Sequence, residues 1–262
     1  MIDDKLIRYA MFTSRLSYES MEWLFDNLYK ESDSKDFIKD IITFLYDNNI
    51  CVNIINLEKE YKPNIAITIF DNNIFISFSG LRNNFDLYHC LNYYLTYSEE
   101  LDLFLHRGFY NLYKRIKKNI DDLIKYYESI MPEKNIIFTG HSLGGAIAKI
   151  VTLYYNLNGK DYTCITFATP KPGDCLFEKK FNEYVTKEIS ICAGTDFISL
   201  QPFCRRKCNT HEYMFDRFGE YQLIPCTYNC RSYLWNLITF NCDTHKLSDF
   251  YTKNKIRLEK II

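Results

Sequence analysis

Ser142 sits at the centre of Gly140-His141-Ser142-Leu143-Gly144, a G-x-S-x-G pentapeptide in a 262-residue chain that holds only nine glycines. A serine hydroxyl is a weak nucleophile. It becomes a useful one when a neighbouring base takes its proton and a carboxylate steadies the resulting cation. The glycines two residues to either side suit a tight reversal, because a strand and a helix that meet at so sharp a turn leave no room for Cβ atoms. The flanks agree: Asn135-Ile136-Ile137-Phe138 reads as a strand, and Ala146-Ile147-Ala148-Lys149-Ile150-Val151 as a helix. The N–H groups and positive dipole end of that helix would face an oxyanion forming beside Ser142.

In a strand–turn–helix site of this kind the acid and the base follow the nucleophile along the chain. Of the five histidines, His89 and His106 come before it, and His141 is held beside Ser142 and points elsewhere. His211 and His245 are left as bases. Asp196 closes the strand-like run Glu188–Thr195, where a triad acid belongs, while the rival Asp174 lies in a loop after Pro170 and Pro172. With Asp196 as acid, His245 leaves room for a loop excursion before the base returns to the site. His211 is the weaker choice.

The elements that must position these groups read as follows. Helical spacing of apolar residues runs over 3–29, and a second helix starts at the N-cap Ser34 and ends near Asn48-Asn49. Strands are expected at 50–57, 64–70 and 74–79, the last two joined across Asp71-Asn72-Asn73, so the sheet begins antiparallel. A long amphipathic helix covers 106–131 and stops at Pro132. The elbow strand, its helix to about Leu157, a strand at 162–168, a helix at 176–185 and a strand at 188–193 then alternate. That alternation predicts an α/β fold with a mostly parallel central sheet and helices on both faces. Beyond Asp196 the pattern gives way to a Cys- and aromatic-rich region, 201–242, before a short C-terminal helix. No repeat or linker divides the chain, so one domain over 1–262 is expected.

Composition excludes several classes. Thirty-two Lys and Arg balance 33 Asp and Glu, which argues against a nucleic-acid partner held by phosphate contacts. The first twenty residues carry charges and no apolar h-region, so no signal peptide and a cytoplasmic location are expected. No apolar run is long enough to cross a membrane. Ten cysteines are present, and Cys204, Cys208, Cys226, Cys230 and Cys242 cluster late. Their x3 spacings, with His211 nearby, permit a tetrahedral zinc site but match no tight zinc signature. Thiols, no metal and no cofactor are therefore expected.

Several blocks, in order over 78–245, resemble the class 3 lipases of the fungal triacylglycerol lipase type. The elbow Gly140–Ala146 is similar to that family's, and Phe78-Ser79-Gly80-Leu81 is similar to its F-R-G-[ST] segment. Leu105-His106-Arg107-Gly108-Phe109 resembles V-H-x-G-F, Phe167–Gly173 resembles F-G-x-P-R-x-G, and Thr195–Pro202 resembles N-D-x-V-P-x-x-P. Seven of the nine glycines lie in or beside these blocks. The resemblance implies an α/β-hydrolase fold and hydrolysis of lipid esters through an acyl-serine. It implies Ser142 as nucleophile, Asp196 as acid, His245 as base, and the backbone N–H groups of Leu81 and Leu143 as oxyanion hole. It also implies a lid over 82–98 that docks on lipid. Ser79 stands at the family's Arg, Leu81 at its Ser or Thr, and Thr244 at the Asp that precedes its catalytic His. A phospholipase or soluble esterase on this scaffold, or a lipase-like binding protein with little turnover, are the alternatives.

Overall fold

The computed structural model describes residues 2, 4–22, 50–57, 62–81, 90, 92–193 and 198, with the backbone of three strands at 205–208, 211–214 and 221–224. The expected second helix and the C-terminal helix lie outside the described residues.

A seven-stranded sheet carries the fold. Its strands are β1 (Cys51–Ile55), β2 (Ile65–Phe70), β3 (Asn73–Phe78), β6 (Asn135–His141), β7 (Thr163–Phe167), β8 (Glu188–Ala193) and β11 (Tyr221–Ile224), side by side in that order. β1, β2 and β3 pair antiparallel, and every pairing from β3 through β6, β7 and β8 to β11 is parallel. The β2–β3 hairpin closes at Asp71-Asn72, with Phe70 opposite Asn73. Asp71 takes φ 47°, a left-handed value that Asp tolerates better than most residues.

Side chains alternate between the two faces of the sheet with period two. On one face Phe75, Ile137, Ile165, Phe167, Ile189 and Ile191 pack against Tyr9, Ala10, Phe12 and Leu16 of α1 (Asp4–Leu16). On the other, Ile74, Ile76, Phe78, Ile136 and Phe138 pack against α2 (Arg107–Ile130), α3 (Leu143–Leu157) and α4 (Cys175–Tyr184). The buried stripe of α2, Phe109, Leu112, Tyr113, Ile116, Ile120, Ile124 and Tyr127, is the one its periodicity predicts.

Three expectations change. The helical span expected over 3–29 is interrupted: α1 stops at Leu16, where the N–H groups of Tyr18 and Glu19 donate to the carbonyls of Arg15 and Leu16 at 3.2 and 3.0 Å, helical backbone resumes at 21–22, and 23–29 lie outside the described residues. Residues 95–98, within the span assigned to the lid, form β4 (Leu95–Ser98), which pairs antiparallel with β5 (Leu103–His106) ahead of α2. Four-residue strands are too short for an alternation signal to show. The region after 201 is also not patternless. β9 (Arg205–Cys208) and β10 (His211–Met214) form a hairpin, and β11 extends the main sheet beside β8.

Candidate functional site

β6 ends at His141 and α3 begins at Leu143, so Ser142 alone makes the turn between them. Its backbone stands at φ 56°, ψ −126°, a region costly for a residue with a Cβ, on the order of 1–3 kcal/mol. Neighbouring contacts hold it there. The Ser142 N–H donates to the Phe167 carbonyl of β7 at 2.9 Å, and its own carbonyl accepts from Gly145 and Ala146 at 3.0 and 3.2 Å. Ser142 occupies the N-cap position, yet its hydroxyl makes no capping bond to the helix. A serine there would ordinarily cap, and this one does not. Ser142 is 9 % exposed.

The flanking glycines answer to close approach. A Cβ on Gly140 would lie 2.4 Å from the carbonyl carbon of Gly144, and one on Gly144 would lie 1.9 Å from the Phe78 oxygen. The second contact sets the first turn of α3 directly against the end of β3. It therefore brings the Leu143-Gly144 turn beside Phe78 and Ser79. Leu81 is 42 % exposed, whereas Leu143 is buried.

Ser79, which replaces the family's Arg, has a structural task. Its N–H donates to the Asn64 carbonyl at 3.0 Å, and its Oγ accepts from the Asn64 N–H at 2.9 Å. Asn64 Oδ1 in turn accepts from the Leu57 N–H at 2.8 Å. These bonds pin the chain as it leaves β3. Ala168 stands where the resembled motif has its first glycine and takes φ 49°. Its N–H donates to Ile191 of β8 at 2.8 Å, which fixes the loop leaving β7 against the neighbouring strand.

Asp196 and His245 lie outside the described residues, as does residues 82–89 of the proposed lid. The strand preceding Asp196, β8, runs parallel to β6 with β7 between them, so both end at the same edge of the sheet. Ligand-binding crevices of α/β sheets open at that edge. Asp174, the rival acid, is otherwise engaged. It is the N-cap of α4, its Oδ1 accepting from the Leu176 and Phe177 N–H groups at 3.1 Å each, and it is buried. Burial pushes its carboxyl above the usual range, partly offset by those two bonds. His211, the rival base, lies in β10 with its Cα opposite that of Cys208. Cys204, Cys226, Cys230 and Cys242 lie outside the described residues, and among the described residues no cluster suits a metal ion.

One residue beside the site escaped notice in the sequence. Tyr18, just past α1, shares a 2.9 Å hydrogen bond between its hydroxyl and His141 Nδ1. It lies 123 positions from its partner, and no local spacing announces such a contact.

Comparison with known proteins agrees with this architecture. The family described as Lipase (class 3) matches residues 75–206, half of the chain. A secreted mono- and diacylglycerol lipase of Fusarium solani is 26 % identical over 98 residues, which cover 37 % of this chain and 29 % of that relative. The matched part thus spans under a third of the relative's length. Among solved structures, the triacylglyceride lipase of Rhizomucor miehei superposes with a TM-score of 0.61 at 18 % identity, covering 84 % of this chain and 79 % of that one. The Lip2 lipase of Yarrowia lipolytica gives 0.62 at 16 % identity, covering 85 % and 80 %. Sharing the fungal lipase fold, and matched over half its length by the family, this chain belongs to the class 3 lipases.

Proposed function

We propose that the protein is a serine ester hydrolase that cleaves carboxylic esters of lipid, acylglycerols in particular, with Ser142 as nucleophile. The observation that carries this is the backbone of Ser142, held at φ 56° on a one-residue strand-to-helix turn with its hydroxyl left out of the helix cap. Membership of a lipase family supplies the ester-hydrolase class and the lipid substrate. The name of the Fusarium relative points to mono- and diacylglycerols as the first substrates to try.

In this mechanism His245 takes the Ser142 proton as Oγ attacks the ester carbonyl carbon, and Asp196 steadies the imidazolium. The carbonyl π pair moves onto oxygen, and the Leu81 and Leu143 N–H groups hold the oxyanion. Collapse expels the alcohol, which takes the proton from His245 and leaves an acyl-serine. Water, deprotonated by the same imidazole, then releases the carboxylic acid and restores Ser142. Leu81 offers no side-chain hydroxyl to the hole, so the donors are backbone groups alone. A lost donor costs roughly 10²–10³ in rate, so turnover is expected to be slow rather than absent. The proposed lid, 82–98, ends in strand β4. Exposed Tyr93 and Tyr94 lie just before that strand and suit contact with lipid.

The test is hydrolysis of p-nitrophenyl esters of increasing chain length and of emulsified mono-, di- and triacylglycerols. Wild type is expected to turn over the shorter esters and the partial glycerides. Ser142→Ala, Asp196→Asn and His245→Ala should each lower kcat by more than about a thousandfold. Full activity in Ser142→Ala would overturn the assignment.

A further inference from the structure

The tightened turn that ends α1 throws Tyr18 across the end of the sheet, onto both segments that shape the proposed site. Its hydroxyl bonds His141 Nδ1 at 2.9 Å, with the two rings 6.0 Å apart and tilted by 55°. The same oxygen fills the space beside Gly80. A Cβ built on Gly80 would come within 2.0 Å of the Tyr18 hydroxyl and 2.9 Å of the His141 carbonyl. Gly80 immediately precedes Leu81, and His141 immediately precedes Ser142. One oxygen is therefore wedged between the residue before the proposed oxyanion donor and the residue before the proposed nucleophile.

The mount of that oxygen is firm. Near its C-terminal end, α1 is tied to the sheet by a Ser14–Thr139 hydroxyl pair at 3.0 Å and a Thr13–Thr68 pair at 2.6 Å, all four groups buried. Thr139 lies on β6, two residues before His141 and on the same strand. A strained backbone such as that of Ser142 persists only where its surroundings over-determine it, and a site works only when its supporting shell is fixed.

We propose that Tyr18 is a positioning residue for ester hydrolysis: its hydroxyl sets the spacing between the Gly80-Leu81 segment and the His141-Ser142 elbow. This rests on Ser142 being the nucleophile. Tyr18 acts through the His141 side chain and the Gly80 backbone and takes no proton from the substrate. Misplacing an oxyanion donor weakens an interaction made in the transition state and leaves ground-state binding largely alone, so the effect belongs in kcat.

The experiment uses the full chain as wild type, Tyr18→Phe, Gly80→Ala and the double variant. It reads kcat and KM on p-nitrophenyl butyrate, the rate at which a fluorophosphonate modifies Ser142, and the thermal midpoint. Tyr18→Phe should lower kcat and the labelling rate about ten- to a hundredfold, with KM within about twofold and little change in midpoint. Gly80→Ala should lose more, because its Cβ meets the Tyr18 oxygen. In the double variant that oxygen is gone, and the nearest contacts are the His141 carbonyl at 2.9 Å and the ring Cζ at 3.1 Å. The double variant should therefore be faster than Gly80→Ala alone if the oxygen is where the Cβ must go; a purely structural Tyr18 is told apart by the Tyr18→Phe loss in kcat and labelling rate at unchanged KM and midpoint. If Gly80→Ala does not fold, the kcat and KM of Tyr18→Phe decide alone. Wild-type kcat in Tyr18→Phe, a loss no larger than its unfolded fraction, or a double variant no faster than Gly80→Ala would overturn the proposal. A wild type that neither hydrolyses nor labels overturns the ester-hydrolase assignment and this with it. An active wild type with an indifferent Tyr18→Phe overturns this alone.

Discussion

Lys149 lies on the sheet-facing side of α3, its side chain 1 % exposed and its Nζ 3.0 Å from Glu188 Oε1, itself 3 % exposed. Glu188 Oε1 also accepts from the Ser190 hydroxyl at 2.5 Å, and Ser190 Oγ pairs with Thr166 Oγ1 at 3.0 Å. The Phe181 ring lies 5.1 Å from the ammonium. Two charges so deeply buried offset each other, so removing one leaves the other without its partner. Lys149→Met is expected to cost about 3–5 kcal/mol in urea unfolding, and Lys149→Met/Glu188→Gln to recover at least half of it. A double-variant loss equal to the sum of the losses in Lys149→Met and Glu188→Gln would mean that the pair is not coupled. Cys164 lies in the same layer. Burial, with Glu188 adding to it, pushes its thiol up to about 12, so little thiolate exists at neutral pH. Iodoacetamide should modify the exposed Cys51 and Cys175 in native protein and spare Cys164 until the chain unfolds. Modification of Cys164 at the same rate would contradict that placement.

At the scale of elements, α4 depends on its cap. Asp174 satisfies two N–H groups of the first turn through Oδ1, while its Oδ2 is buried without a hydrogen bond. Its folded-state proton affinity is therefore raised by burial, so between the unfolded and folded values the folded chain binds more proton at Asp174 than the unfolded chain does. The sign follows: this contribution is fully present below the ordinary carboxyl range and is lost as pH rises through the folded value. Thermal midpoints taken from pH 4 to pH 7 should thus show a fall in wild type that Asp174→Asn lacks. Asp174→Ala should lose about 1 kcal/mol of stability at either pH, since the cap itself is gone. Esterase activity in Asp174→Asn should match wild type, in contrast to Asp196→Asn. Loss of activity in the first and not in the second would exchange their roles.

The elements legible in the sequence were those with enough length for a period to register. α2 shows its stripe from Phe109 to Tyr127, and α4 was expected at 176–185 and lies at Cys175–Tyr184. β4, β5 and β9–β11 are four residues each and gave no alternation to read. The burial of Lys149 and Glu188 was not legible either. A lysine among Ala146–Val151 reads as a solvent-facing position, and only the packing of α3 on β7 and β8 makes it internal.

Taken as a whole, the molecule is a sheet whose antiparallel start and parallel remainder meet between β3 and β6, where the elbow stands. Sequence alone indicated the elbow, through the spacing of Gly140 and Gly144 about Ser142, and the close approaches at both glycines are the reason that spacing is legible. The part played by α1 was hidden. The helix covers one face of the sheet and sends Tyr18 to the site, through contacts more than a hundred residues apart in the chain. Ser142 is the nucleophile in the proposed hydrolysis. The most direct measurement treats wild type and Ser142→Ala with a fluorophosphonate, with and without detergent, and maps the modified peptide by mass spectrometry. One phosphonyl group per chain on Ser142 in wild type, and none in Ser142→Ala, is the expected result. Folded wild type that remains unmodified under both conditions, or a label carried by another residue in both proteins, would contradict it.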